Sequence, residues 1–229
     1  MLVRKKNEII MNKLLLLFPL LGLLLSCVSV QEVPNVVSLS QSHTRVAILP
    51  IKATVERKIW MSNEKYLELC QKKSEEIQLR LYKQFAFYNR DGRMQAEVMS
   101  PDEVNAMLFG IDFPNKTFNN SELCSLLHVD AIIWGNIDIR EPVSEAAAIA
   151  LSNNSWFIPI TNMVEINLYL YDKTTNSQIW SVNSSRSGQL GSIKRKMQMD
   201  VCRRSVRNSP YNLKKRKYKK AFTNIQNGV

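Results

Sequence analysis

Hydrophobic positions along the chain fall into three kinds of pattern, and each predicts a different element. Continuous apolar runs come first. Val46-Ala47-Ile48-Leu49, closed by Pro50, and Val129–Ile137 lack polar alternation, as expected of strands covered on both faces. Asn162–Asp172 alternates instead, with Val164, Ile166, Leu168 and Leu170 set against Glu165, Asn167, Tyr169 and Tyr171. This predicts a half-exposed strand, turned at Lys173–Ser177 into a hairpin partner over Gln178–Val182. Helical spacing is the third pattern. Tyr66, Cys70, Ile77 and Leu81 predict a helix from Ser62 to between Tyr82 and Phe87, before Asp91-Gly92. Ile193, Met197, Val201 and Ser205 predict another over 192–208. Ser100-Pro101-Asp102-Glu103 starts a short helix that stops at Gly110, and Ser121–His128 reads as one more, while Gln95–Met99 is a short strand. The order β-α-β-α-α-β-β-β-α predicts an α/β fold: one sandwich-like domain, a mixed sheet of about five strands with helices packed on it, ending in an antiparallel hairpin and a helix.

A fourth pattern lies ahead of this body. Residues 1–13 are polar and basic, and Leu14–Leu25 is then apolar apart from Pro19 and Gly22. Crossing a bilayer takes about 20 apolar residues, so this run is too short and fits a signal peptide. Leu24-Leu25-Ser26-Cys27 resembles the lipobox of bacterial lipoproteins, where the thiol is alkylated by diacylglycerol, the preceding bond is cut and the new N-terminus is acylated. The resemblance implies lipidation at Cys27 and a bilayer as partner. No acidic residue follows Cys27 directly, which points to the outer membrane with the body facing the periplasm. The organisation read from these patterns is a signal peptide over 1–26, a flexible Pro- and Ser-containing tether over 27–44, the α/β domain over 45–208 and a basic tail over 209–229.

Charge changes the picture only at the ends. Lys and Arg number 31 against 20 Asp and Glu, a formal +11. Residues 194–220 alone hold twelve basic side chains and one acid, whereas 27–193 hold fifteen basic and eighteen acidic. Whole-chain basicity is therefore weak evidence for nucleic acid. The tail residues Lys214, Lys215, Arg216, Lys217, Lys219 and Lys220 are candidates either for contact with a polyanion such as lipid phosphate or for a solvated tail.

Chemistry-bearing groups are sparse. Two histidines and seven scattered glycines offer neither a His-built metal centre nor a phosphate-cradling loop, so no metal or cofactor is expected. Cys70, Cys124 and Cys202 match no zinc or redox spacing; they read as buried thiols or as one disulfide with a thiol left over. His128 abuts a predicted buried strand and reads as a packing or capping residue. Glu75-Glu76 and Asp102-Glu103 are adjacent pairs whose members diverge by about 100° on a helix, so neither converges on a substrate. No catalytic set can be assembled, and a non-enzyme is expected. Core packing accounts for Trp134 and Trp180. Trp156, Phe157 and Ile158, after the Asn153-Asn154 turn, are either core or an exposed apolar loop open to a partner.

The order of the pieces resembles a family of periplasmic lipoprotein domains. It includes the curli-secretion channel lipoprotein, the lipoprotein activators of penicillin-binding proteins and the N-terminal domain of the Tol-system propeller protein. The matching residues are Val46–Pro50, Val129–Gly135 and the Leu168–Asp172 … Gln178–Trp180 hairpin. Uncharacterised Bacteroidetes lipoproteins are also similar, through Pro142–Ala150 and Ser209-Pro210-Tyr211. The resemblance implies a non-catalytic docking or assembly module with an envelope protein partner, in cell-wall synthase regulation or secretion assembly. A homo-oligomeric secretion-channel component is the alternative. The short, Ala-rich segment between Glu141 and Asn162 departs from the two long strands of the channel-forming member. A nucleic-acid binder, its N-terminus misread, is the remaining class.

Overall fold

A computed structural model describes residues 27–111, 113, 118–153 and 159–214. The first apolar run forms β2 (Arg45–Ile48), which pairs in parallel with β4 (Glu97–Val98) on one side and β5 (Ala131–Arg140) on the other. Its lack of polar alternation has a direct cause. Val46 and Ile48 enter the core on one face of the sheet, and Ala47 with Leu49 enters a second core on the other. The chain resumes as β3 (Lys52–Val55), again parallel to β5. Ile48 faces Ile133 and Lys52 faces Asn136, so four steps on one strand match three on the other. The extra residue is a bulge at Leu49-Pro50-Ile51, where Pro50 has no N–H to donate to a ladder.

The alternating segment is β6 (Ile160–Asp172), antiparallel to β5 and to β7 (Ser177–Gln189). β7 runs seven residues past the expected Val182. Gly135 in β5 sits where these backbones come closest: a Cβ there would lie 2.0 Å from the Asn167 carbonyl oxygen of β6. A side chain at this point cannot be placed without moving backbone, which explains glycine in mid-strand.

The sheet has seven strands in the order β1-β7-β6-β5-β2-β4, with β3 also on β5. The outermost strand corrects an expectation. Residues 27–44 are not a tether: β1 (Val28–Glu32) pairs antiparallel with β7, and α1 (Val36–Ser42) buries Val36, Val37 and Ser40. Composition read as flexible is ordered here because β7 would otherwise be an open edge, and because the Val-rich segment supplies the apolar contacts that cover it.

Helices α2 (Asn63–Arg90) and α6 (Lys194–Arg207) pack with α1 on one face, while α3 (Pro101–Gly110) and α4 (Asn120–Leu126) cover β2 and the start of β5 on the other. Short helix α5 (Glu145–Ser152), the Ala-rich stretch, joins β5 to β6. Four helix starts are capped by side-chain oxygens, those of Ser62, Ser100, Asn119 and Ser144. At 28 residues α2 is about 42 Å long. Its buried residues begin only at Ser74, and Tyr66 and Cys70 are merely half-buried. The body also extends past residue 208, because Ser209 and Tyr211 are each 1% exposed. The basic tail therefore begins later than expected.

Candidate functional site

The two ends of the sheet carry different chemistry. Cys27 stands exposed one residue before β1, and its carbonyl oxygen accepts from the Ser185 N–H at 3.1 Å. Register carries this level across the sheet, from Ser185 to Glu165, Asp138 and Thr54. Cys27 is thus held at the end where β3 and β5 finish and β6 begins. The proposed cleavage-motif residues Leu24, Leu25 and Ser26 lie outside the described residues, as do Trp156, Phe157 and Ile158.

At the opposite end is a buried polar cluster that the sequence reading missed. His43, Asp172 and Tyr211 are 3%, 0% and 1% exposed. His43 Nε2 meets Asp172 Oδ1 at 2.7 Å, and Nδ1 meets the Tyr211 hydroxyl at 2.6 Å. Asp172 Oδ2 accepts from both the N–H and the hydroxyl of Thr175, each at 2.6 Å. Beside it Asp130 Oδ2 accepts from the Thr44 N–H, the Thr44 hydroxyl and the Arg45 N–H, at 2.7, 2.6 and 3.0 Å. Three chain segments remote in sequence meet here: the end of α1, the end of β6 and the segment after α6. Both imidazole nitrogens are engaged and His43, Asp172 and Tyr211 are themselves buried, so the geometry suits a clamp rather than proton transfer to a substrate.

Electrostatics agree with that role. Burial opposes ionisation of Asp172, but Thr175 and His43 outweigh it and hold the carboxyl below the usual carboxylate range. Asp130 is lowered in the same way, with Thr44 and Arg45 overcoming burial. Burial pushes the Tyr211 hydroxyl well above its ordinary value, which keeps it neutral. A carboxyl whose folded-state value is depressed contributes stability that is present above the unfolded value, about 3.9, and is lost as pH falls through the folded value. The urea midpoint is therefore expected to hold steady down to about pH 4 and to fall below it. A midpoint unchanged at pH 2 would show that neither carboxylate is held by these contacts.

The other candidates separate clearly. His128 is exposed rather than packed, with φ +52° in the left-handed region where α4 gives way to β5, and its N–H donates to the Ser125 carbonyl at the helix end. Cys70, Cys124 and Cys202 are free thiols, the last two buried. Burial raises Cys124 to about 11 and Cys202 to about 12, leaving almost no thiolate at neutral pH. Glu76 pairs with Lys73 and Arg80, and Glu103 with Arg45 at 2.6 Å. Trp180 is core, as expected. Trp134 is half-buried and stacks on Tyr169, with ring centroids 4.5 Å apart. Lys214 reaches Asp91 at 2.9 Å, and Lys215, Arg216, Lys217, Lys219 and Lys220 lie outside the described residues. Among the described residues no cluster could hold a metal ion, and no helix is long and apolar enough to cross a membrane.

No family model matches the chain, and no curated protein matches it. Solved structures do. The chain is similar to PelC, a dodecamer from Paraburkholderia phytofirmans, at 12% identity, with 82% of this chain and 98% of that one covered and a TM-score of 0.46. It is similar to lipoprotein GNA1162 from Neisseria meningitidis at 12% identity, covering 68% and 90%, with a TM-score of 0.40. The LpoB C-terminal domain from Salmonella enterica is matched at 8% identity, covering 69% and 96%, with a TM-score of 0.34. One of these matches, GNA1162, is itself a lipoprotein.

Proposed function

We propose that this chain is a lipoprotein of the bacterial envelope, held by acylated Cys27 at the periplasmic face of the outer membrane, whose body docks a partner without catalysing a reaction. The observation that carries the reading is the exposed Cys27, set directly before the first strand and directly after an apolar segment ending Leu24-Leu25-Ser26. Acyl chains contribute about 0.8 kcal/mol per buried CH₂, so several chains on one sulfur and one amine anchor a protein permanently. Support for docking comes from the body. Among the described residues, buried His43, Asp172 and Tyr211 engage one another, and the buried thiols of Cys124 and Cys202 are neutral. Cell-wall synthase regulation and secretion assembly are the two roles such a module serves in the resembling family.

The test is to express the full chain in a Gram-negative host with labelled palmitate and to crosslink in living cells. Label on the wild type but not on Cys27→Ser, with recovery in the outer-membrane fraction and one reproducible envelope partner, is the expected result. Unlabelled wild-type protein would overturn the anchor. Labelled protein that captures no partner would overturn docking.

A further inference from the structure

The anchor end of the body carries a concentration of exposed apolar side chains. Ile59 is fully exposed and Trp60 is 74% exposed, in the loop between β3 and α2. Ile149 and Leu151 project from α5, between the end of β5 and the start of β6. Leu190 and Ile193 lie between the end of β7 and α6. The strand register sets these three connections at one end of the sheet, the end at which Cys27 leaves it.

Three loops remote in sequence do not need to share apolar exposure for folding, since none of these six side chains belongs to either core. Isolated exposed apolar residues are ordinary, whereas several gathered at one end mark a contact surface. Basic residues flank them. Lys58 lies over the Trp60 ring, 5.5 Å from its centroid, and Arg57 precedes it. Arg195 and Lys196 follow Ile193 at the start of α6. A tryptophan beside cations suits the boundary between headgroups and acyl chains, where the ring is half apolar and the cations meet lipid phosphate.

We infer that this end rests on the membrane surface itself, with Ile59 and Trp60 entering the headgroup–acyl boundary of a phospholipid leaflet. The inference deepens the proposed function and rests on acylation of Cys27. Its occupant follows from where the chain leaves the body. With β1 beginning at Val28 and bonded to β7, an acylated Cys27 stays level with Ser185, four residues before β7 ends, which brings the lipid that receives its chains within reach of the neighbouring loops. The opposite end, with the His43 clamp, then faces the periplasm.

Brominated phospholipid quenching tests this on the full-length, membrane-extracted protein. It is reconstituted into phosphatidylethanolamine–phosphatidylglycerol vesicles with bromines near the headgroup end of the acyl chain. In a Trp156→Phe background, the emission lost on Trp60→Phe isolates the Trp60 signal; Trp60 is exposed, so this change leaves the core intact. The same samples are weighed by mass spectrometry at Cys27. Acylated protein whose Trp60 emission falls by at least half on brominated vesicles is the expected result. Acylated protein with unquenched Trp60 overturns the orientation and leaves the anchor standing. Unquenched Trp60 with blue-shifted emission also overturns it, because protein rather than lipid then covers the ring. A bare Cys27 overturns orientation and anchor together.

Discussion

Asp172→Ala lowers the unfolding free energy by about 3–5 kcal/mol, the scale for removing a buried carboxylate from its hydrogen-bonded set. The substitution removes the acceptor of His43 Nε2 and of both Thr175 donors in one step; water can reach exposed Thr175, but buried His43 is left with the Tyr211 hydroxyl. With a urea slope of about 2 kcal/mol/M, the midpoint falls by about 2 M. Tyr211→Phe is the matched control. It keeps the ring that packs edge-on against Phe85, 6.2 Å between centroids, and removes only the hydroxyl that meets His43. A single lost hydrogen bond of this kind is worth about 1 kcal/mol, or somewhat more where a buried partner is left unpaired. Equal losses for the two variants would mean that packing, and not the Asp172 carboxylate, holds the three segments together.

Deleting Val28–His43, so that Cys27 runs directly into Thr44, abolishes cooperative unfolding. The deletion removes the whole β1 ladder on β7, the Val36 and Val37 side chains at 1% and 7% exposure, and the imidazole that pairs Asp172. Burial of a valine is worth about 1.5–3 kcal/mol at most, and a widowed Asp172 costs about 3–5 kcal/mol more. Together these match the roughly 5–15 kcal/mol that holds an ordinary domain. Tryptophan emission and urea titration read the result, since Trp180 lies opposite Glu32 in the ladder and becomes wet when β1 is gone. A deletion variant that unfolds with the wild-type midpoint would restore the reading of 27–44 as a tether.

These two segments show where sequence was and was not informative. Strands β2, β5 and β6 were legible because each face of each strand has its own chemistry: Ile48 and Leu49 go to different cores, and Ile166 and Asn167 to opposite sides. Helix α3 was legible because Ser100-Pro101 is local chemistry that no tertiary contact needs to complete. β1 was not, since Val28-Ser29-Val30 alternates over only five residues and gains its order from β7, some 150 positions away. The bulge at Pro50, past which the chain resumes as β3, was equally hidden. His43 is the clearest case. The nearby apolar run begins only at Val46, and the partners Asp172 and Tyr211 come together only when α1 and the segment after α6 close on the end of β6. Ile59-Trp60 was visible as two apolar letters, but nothing in the letters marks them as exposed.

The early start of β1 sets the radius over which an anchored molecule of this kind could work. Seventeen extended residues between lipid and body would allow an excursion of up to about 60 Å, enough to probe far into the space beyond the leaflet. Folding those residues into a strand and a helix reduces that excursion to nearly nothing. On the proposed acylation of Cys27, any partner would therefore come to the bilayer or already lie in it, and the search between the two would be two-dimensional.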